Sequence, residues 1–360
     1  MDRITVTDIA KELNISQGTV SKALSGKKGV SKEMRERVAG AAQRGGYVVN
    51  NLAQGLARKP INIGVVMPNV WKEFYGYFGY LKCGIEAELA SLENQKFHGK
   101  FSYISGMYAK DEYRNVLTAF AQEKDSLDAV ILCPALAHDY AECLDALYDE
   151  GIKTVILGNT IVEGKRFAEV RMASEIAGSL AAEYTSLLCG PDKSAVVFIG
   201  NKDMDDHRRK AEYFQLVADQ SNLRINGIFE TQDDMDVAYT LTRKVVSQPG
   251  LGAIYVATGN SVAVCRCLQD MQMTDRVKVV ATDIFPDMHP YVEAGIIPAT
   301  IYQDPVRMGR MAVRTLFDAV STGVLPENEI LIYPQLVLKS NYHVIADELK
   351  KIDERVAHGE

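Results

Sequence analysis

The first residues of the chain hold two short apolar stripes separated by a turn. The first stripe has the spacing i, i+3, i+4 and i+7, which is typical of one face of an α-helix. Its members are Val6, Ile9, Ala10 and Leu13. Thr5 and Asp8 fit a capping box, so the pattern predicts a helix that begins near Val6. Asn14 and Ile15 would form the turn that follows.

A second helix is predicted directly after this turn. Ser16 can cap it, and its inner side is apolar. Its outer side carries short or polar residues, namely Gln17, Gly18, Thr19, Ser21 and Lys22. Gln17 and Lys22 are long enough to reach the edges of bases. Two short helices joined this tightly predict a DNA-binding helix-turn-helix, with an ordinary helical hairpin as the alternative.

A third helix completes a basic head. Ser31 can cap this helix, Met34 and Val38 lie on its packing face, and Gly45 and Gly46 would end it. Residues 1–60 contain 11 Lys and Arg against 5 Asp and Glu, a net charge of +6, whereas the remainder carries −13. A basic head on an acidic body indicates that the head, and not the body, contacts phosphates.

Beyond Pro60 the pattern changes to apolar runs that alternate with helical stretches. Eight of these runs have the character of buried parallel strands. They are INIGVVMP, KFSYIS, AVILCPA, TVILGN, SAVVFIG, RINGIFE, AIYVATG and VKVVATD. Alternation of this kind predicts doubly wound sheets, and the number of strands favours two lobes over one sheet.

Composition agrees with a multidomain globular protein. A chain of 360 residues is too long for a single core, and 47% hydrophobic with 24% charged residues is ordinary. We find neither a membrane-spanning run nor a signal peptide, and therefore expect a cytoplasmic protein. The six cysteines are widely spaced, mostly within apolar segments, and Cys265 and Cys267 lack a second cluster that would complete a metal site.

The N-terminal motifs resemble the LacI (lactose repressor) family of bacterial transcription regulators. The family pattern VxxIAxxxxISxxTVSxxLxG is followed there by a Gly-Tyr pair, a hinge reading NxxAxxL and a strand ending in IGVV. The matching residues are Val6, Ile9, Ala10, Ile15, Ser16, Thr19, Val20, Ser21, Leu24, Gly26, Gly46, Tyr47, Asn50, Ala53, Leu56 and Ile63 to Val66. The resemblance covers nearly the whole chain, although Val49 stands where the family usually has proline.

The resemblance implies an all-α helix-turn-helix head and a two-lobed α/β body like that of the periplasmic sugar-binding proteins. The expected divisions are a head over 1–46, a hinge helix and linker over 47–60, an effector domain over 61–345 and a charged tail over 346–360. One lobe would hold 61–159 with 287–322, and the other 160–286 with 325–345. The crossings between lobes are expected near Thr160, Phe285–Pro290 and Gly323–Glu327.

Ligands of such sheets bind beyond the carboxyl ends of the strands. The first strand is followed by Asn69, Trp71, Phe74 and Tyr77, whose aromatic faces can stack on a sugar ring or pack the next helix. Family position adds further residues to the expected effector site. These are Asn159, Arg171, His207, Lys210, Asn260, Asp283 and Gln303. Ala173 stands where the family usually has an acid.

The effector class has three interpretations. Arg171, His207 and Lys210 would place positive charge opposite Asp283, which favours a sugar carrying a carboxylate or phosphate. If Lys210 is instead paired with Asp206, Glu212 or Asp283, a neutral pentose or hexose fits. A purine is the non-sugar alternative, since an aromatic side chain stacks on a base as well.

In the DNA complex that the resemblance implies, a homodimer binds a near-palindromic operator. Bases would be contacted by Gln17, Gly18 and Lys22, and phosphates by Ser16, Thr19, Ser21 and Ser31, with Thr5 as a further DNA-binding residue. Hinge residues Asn50 and Ala53 would lie in the minor groove, with Leu56 as an apolar wedge.

The expected function is an effector-controlled regulator of carbohydrate-use genes, a repressor or alternatively an activator. A stand-alone sugar-binding protein is disfavoured by the DNA-binding head. We find no Walker A loop, GxGxxG, HExxH or GxSxG motif, so no enzymatic activity, catalytic residue, metal or cofactor is expected. The acidic runs Asp203 to Asp206 and Asp233 to Asp236 lack calcium-loop spacing and are interpreted as helix-start and loop charges.

Overall fold

The head consists of three helices around a small apolar core. The computed structural model describes residues 5–24, 29–44, 59–69, 76–123, 126–134, 136–158, 167–190, 192–326 and 329–358. The head helices are α1 (Val6–Leu13), α2 (Gln17–Leu24) and α3 (Lys32–Arg44). Ile9, Val20 and Val38, one from each helix, are completely buried against one another. The predicted apolar stripes therefore meet in one core.

In the body, most strands are followed by a helix. The strands are β1 (Ile61–Pro68), β2 (Phe97–Ile104), β3 (Ala129–Leu132), β4 (Lys153–Leu157), β5 (Ala168–Met172), β6 (Ser194–Ile199), β7 (Arg224–Glu230), β8 (Leu251–Val256), β9 (Lys278–Thr282), β10 (Ala299–Tyr302), β11 (Ile330–Ile332) and β12 (Gln335–Leu338). The helices are α4 (Tyr77–Ser91), α5 (Lys110–Gln122), α6 (Ala141–Asp149), α7 (Ser174–Cys189), α8 (Asp205–Gln220), α9 (Met235–Val245), α10 (Ser261–Asp270), α11 (His289–Glu293), α12 (Pro305–Thr322) and α13 (Lys339–His358). No helix among the described residues is long and apolar enough to cross a bilayer.

The strands form two sheets with matching topology. Within the described residues, the first sheet has the order β11-β5-β4-β3-β1-β2 and the second β12-β10-β9-β8-β6-β7. The first sheet is parallel, and in the second only β12 runs antiparallel to its neighbour. Strands β3, β6 and β8 are buried at every position, as the continuous apolar runs predict for strands covered on both faces. This is the predicted two-lobed, doubly wound body.

Strand pairing corrects the predicted lobe boundaries. β5 pairs with β4 in the first sheet, whereas the sequence pattern assigns 160–286 to the second lobe. β10 pairs with β9 in the second sheet, and β11 pairs with β5 in the first, each opposite to its predicted lobe. The chain crosses between β5 and α7, between β10 and α12, and between β11 and β12. Pairing of such short strands is decided by distant backbone partners, which the local pattern does not reveal.

Glycines allow close helix crossings in each lobe. A Cβ on Gly84 of α4 would lie 2.0 Å from the Val306 carbonyl oxygen at the start of α12. In the second lobe a Cβ on Gly178 of α7 would lie 2.2 Å from the carbonyl oxygen of Lys210 on α8. Because real Cβ atoms do not approach this closely, both positions require glycine. The crossing at Gly178 fixes the helix that carries Lys210.

The predicted charged tail is part of a long helix. α13 runs from Lys339 to His358 and follows β12 of the second lobe without a break. Leu349 is buried on it, and near its end Asp353 accepts a hydrogen bond of 3.2 Å from the hydroxyl of Tyr80 on α4. The helix therefore starts in the second lobe and reaches the first. A sparse apolar face, here Leu349 and Ile352 among charges, is enough for packing without any heptad repeat.

Candidate functional site

The start of α1 is fixed by a capping box. The Asp8 backbone N–H donates to the Thr5 hydroxyl at 3.3 Å, and the Thr5 backbone N–H donates to the Asp8 carboxylate at 2.8 Å. Asn14 then takes a left-handed conformation with φ of 52°, which turns the chain into α2. The predicted turn between two short helices is confirmed.

The start of α2 presents a polar, exposed surface. The Ser16 hydroxyl accepts from the Thr19 backbone N–H at 3.1 Å, which confirms its capping role. Gln17, Gly18, Ser21 and Lys22 are exposed. A Cβ on Gly18 would meet only the Ser16 hydroxyl, at 3.7 Å, so packing within the head does not require glycine there. The small size of Gly18 therefore leaves the start of α2 open to close approach by another molecule.

Ser31 caps α3 in the same way, because its hydroxyl accepts from the Met34 backbone N–H at 3.2 Å. Thr5, Ser16 and Ser31 thus stand at the starts of the three head helices, where backbone N–H groups and the helix dipole favour anions. The predicted hinge residues Asn50, Ala53 and Leu56 lie outside the described residues.

A cavity of about 700 Å³ lies between the lobes of the body. The first lobe contributes residues such as Tyr77 and Phe78 at the start of α4, and the second lobe contributes residues that follow β6, β8 and β9. Near it, the Tyr108 hydroxyl after β2 donates to the Met204 sulfur before α8 at 3.5 Å, so the lobes touch directly. The cavity has the size of a small-molecule site and lies beyond the carboxyl ends of parallel strands.

A chain of four polar side chains forms one wall of the cavity. Lys210 is 1% exposed, and its ammonium donates to Asp206 at 2.7 Å and to the Gln303 side-chain oxygen at 2.8 Å. Gln303 in turn donates to Asp283 from its backbone N–H at 3.1 Å and from its amide at 2.5 Å. Asp206 also accepts from Ser174 at 2.6 Å. These hydrogen bonds hold the polar group of each side chain in one orientation.

Burial and pairing set the charges of this wall. Burial raises the pKa of Asp283 to about 6, although Gln303 and Lys210 act in the opposite direction. Burial also acts to raise the pKa of Asp206, but the Lys210 ammonium holds it below its ordinary value. Burial lowers the pKa of His207, whose Nδ1 accepts from the Asn201 backbone N–H at 3.1 Å, as a neutral imidazole does.

Asp233 is an acceptor that the sequence interpretation missed. It lines the cavity, and its Oδ2 is buried with no hydrogen-bond partner among the described residues. A Cβ on Gly200 would lie 2.5 Å from both Asp233 oxygens, so glycine there makes room for the carboxylate. Asp206 was named only as a partner of Lys210 and not as a residue of the cavity, since acids at loops and helix starts are common and only their tertiary position distinguishes these two.

An aromatic ring that was also missed lies between the lobes. Phe285 lines the cavity, and its ring lies 2.6 Å from the point where a Cβ on Gly76 of the first lobe would stand. A Cβ on Gly259 of the second lobe would lie 3.5 Å from the same ring. The sequence pattern assigned this segment to a crossing between the lobes and therefore gave Phe285 no role in binding.

The structure brings most of the predicted effector residues together. The residues that line the cavity are Tyr77, His207, Lys210, Asn260, Asp283 and Gln303. Asn69 is exposed at the end of β1 and does not line it. Trp71, Phe74 and Asn159 lie outside the described residues.

Arg171 does not face the cavity. Its guanidinium donates to Glu175 at 3.1 Å, to Glu329 at 2.6 Å and to the Met172 carbonyl oxygen at 3.1 Å. These partners lie at the crossing from β5 to α7 and in the segment before β11. Arg171 therefore ties the crossing from β5 to α7 to the segment before β11, and its charge is satisfied there by Glu175 and Glu329.

Family comparison agrees with both parts of the molecule. Residues 63–323 match the family described as periplasmic binding protein domain. Residues 5–50 match the bacterial regulatory proteins of the lacI family. The chain belongs to the lacI family. The predicted family and fold class, a helix-turn-helix head before a two-lobed α/β body, are thereby confirmed.

Curated relatives of this lacI-family chain extend over its full architecture. Catabolite control protein A of Streptococcus mutans is 26% identical over 92% of this chain and 96% of that protein. The HTH-type transcriptional regulator pepR1 of Lactobacillus delbrueckii subsp. lactis is 25% identical over 94% and 97%. The lacI-family protein described here is accordingly a DNA-binding transcription regulator with a small-molecule-binding domain.

Solved structures resemble the body of this lacI-family protein. An ABC transporter solute binding protein from Bacillus halodurans with bound myo-inositol superposes with a TM-score of 0.70 at 18% identity, covering 79% of this chain and 96% of that one. A periplasmic ribose ABC transporter protein from Conexibacter woesei gives 0.71 at 16% identity, covering 81% and 96%. At such identities the likeness shows the fold alone.

Proposed function

We propose that this protein is a homodimeric regulator of carbohydrate-use genes, controlled by a neutral sugar or polyol bound in the cavity. The observation that carries the proposal is the charge balance of the cavity. Four carboxylates line it, from Asp206, Asp233, Asp283 and Asp287, against the single ammonium of Lys210, which is already paired. A neutral ligand rich in hydroxyl donors suits these acceptors, whereas an anion would be repelled.

The side chains supply the contacts that a sugar needs. The unpartnered oxygen of Asp233 can accept from a hydroxyl, and the wall from Lys210 to Asp283 offers further acceptors and donors. Phe285 can stack on the apolar C–H face of a ring. The neutral interpretation replaces the expectation of a charged effector, because that expectation relied on Arg171 facing the cavity and on Lys210 being unpaired. The relatives named for catabolite control also support carbohydrate regulation.

For DNA binding, we infer that the protein acts as a dimer and that each protomer binds one half-site of the operator. Each protomer uses its head over 1–46 and its hinge over 47–60 for this contact. Gln17, Gly18 and Lys22 would contact bases, while the helix starts would be positioned on phosphates. Leu56 would open the central base step from the minor groove. Effector binding changes the angle between the lobes, and thereby the spacing of the two hinges.

Two experiments test this proposal, a selection of duplexes and a screen of small molecules. Enrichment from a random duplex pool should yield one near-palindromic sequence that the full chain binds, and Gln17→Ala with Lys22→Ala should abolish the enrichment without changing thermal stability. In parallel, a thermal-shift screen should find neutral monosaccharides or polyols that stabilise the protein, while their phosphates and uronates do not. Stabilisation by nucleobases alone would favour a purine effector, and failure to enrich any duplex would refute the DNA-binding role.

A further inference from the structure

Two histidines and a glutamate meet on the surface of the second lobe, away from the cavity. His289 and Glu293 stand at i and i+4 on α11, and His343 lies on the first turns of α13. One ligand atom from each side chain lies within 4.8 Å of the others, and all three residues are exposed. Neither the family assignment nor the proposed regulation gives this cluster a role.

Its dimensions suit a tetrahedral transition-metal ion. The His343 Nε2 and Glu293 Oε1 atoms are 3.3 Å apart. In a tetrahedral zinc site with bonds of about 2.0–2.1 Å, two ligand atoms stand roughly 3.3–3.4 Å apart. These two atoms are therefore already at the spacing of a coordination edge, and a ligand nitrogen of His289 lies within 4.8 Å of the ligand atoms of the other two residues.

Neighbouring side chains hold Glu293 and His289 in place. Lys339 donates to the Glu293 carbonyl oxygen at 2.9 Å and pairs with its Oε2 at 3.1 Å, which leaves Oε1 directed at the imidazoles. The His289 ring stacks on Tyr342, which is 1% exposed, with ring centroids 5.9 Å apart. Supporting contacts of this kind orient metal ligands and raise affinity.

We propose that His289, Glu293 and His343 bind a divalent transition-metal ion of the zinc class, with water in the open position. Two imidazoles and one carboxylate select zinc, nickel or copper over magnesium and calcium, which prefer oxygen ligands. The ion links α11 to the base of α13, whose far end contacts Tyr80 of the first lobe. Metal binding would thus stiffen a helix that spans both lobes.

Calorimetric titration of the untagged full chain with Zn²⁺ and Mg²⁺ tests the site. We expect one Zn²⁺ per chain, no Mg²⁺ binding, and a loss of at least about tenfold in zinc affinity in both His289→Ala and His343→Ala. The matched control is His98→Ala, an exposed histidine on β2, which should bind as wild type does. Circular dichroism confirms folding of each variant. Absence of stoichiometric zinc, or unchanged affinity in the two site variants, would overturn the proposal.

Discussion

Gln303 donates two hydrogen bonds to Asp283, one from its backbone N–H at 3.1 Å and one from its side-chain amide at 2.5 Å. Asp283 itself is in the left-handed conformation, with φ of 63°, and only 4% exposed. The same amide group accepts from Lys210 through its oxygen. Gln303 therefore connects an acid and a base in the cavity wall without letting them touch.

This relationship predicts a pH dependence of stability. The pKa of Asp283 is raised from an ordinary value of 3.8 to about 6 in the folded protein. The folded state therefore binds the proton more tightly, so the contribution of this group is fully present below pH 3.8 and is lost as pH rises towards 6. The loss amounts to about 3 kcal/mol. In urea unfolding between pH 4 and 7, Asp283→Asn should remove this decline, and an unchanged pH profile would contradict the assignment.

A second prediction concerns the buried pair of Lys210 and Asp206. Lys210→Met leaves the Asp206 carboxylate without its ammonium, which should cost about 3–5 kcal/mol in the free energy of unfolding. Adding Asp206→Asn should recover much of that loss, because the uncompensated charge disappears. Arg208→Met, on the exposed side of the same helix, is the control and should cost no more than about 1 kcal/mol. Equal losses of unfolding free energy in Lys210→Met and Arg208→Met would refute the pairing argument.

The fold class could be predicted from the sequence because its signals are local. Thr5 and Asp8 mark the start of the first helix within four residues, and short apolar runs rich in β-branched residues, such as β6, favour buried strands. The short strands β10 and β11 carry too little pattern, and their sheet is chosen by partners far away in the sequence. The predicted lobe boundaries were therefore wrong for the strands next to the crossings, namely β5, β10 and β11.

The site was predictable only in part, for a similar reason. Lys210, Asp283 and Gln303 were found by their positions in the family pattern, and all three line the cavity. Arg171 matched a position equally well, but Glu329, distant in sequence, binds its guanidinium elsewhere. Asp233 was dismissed because an acid in a loop has no local signature of an unpartnered, buried oxygen.

A third prediction concerns the crossing of α7 and α8. Gly178→Ala places a Cβ against the Lys210 carbonyl oxygen and must push the two helices apart. We expect a loss of about 1–3 kcal/mol in stability, as in other overpacked cores, together with weaker effector binding. Gly106→Ala meets no atom within 4 Å and is the matched control. Wild-type stability and sugar affinity in Gly178→Ala would show that the crossing does not position the cavity wall.

The bond between Tyr80 and Asp353 predicts that α13 helps to hold the lobes together. Tyr80→Phe removes the hydroxyl that donates to Asp353 and should lower the free energy of unfolding by about 1 kcal/mol. Tyr239→Phe removes a similar bond to Asp270 within the second lobe. Thermal unfolding with and without a bound sugar should show that only Tyr80→Phe alters the ligand-induced stabilisation. The same response in both variants would mean that α13 has no part in lobe closure.

The most direct measurement is operator affinity as a function of sugar concentration, by fluorescence anisotropy, using the duplex and the neutral sugar found by selection. If the cavity controls the head, saturating sugar changes operator affinity at least about fivefold, with a midpoint that follows the calorimetric Kd. Asp283→Asn should shift the midpoint of the operator titration and the calorimetric Kd of the sugar by the same factor. Operator affinity that stays constant while the sugar fills the cavity would contradict the account.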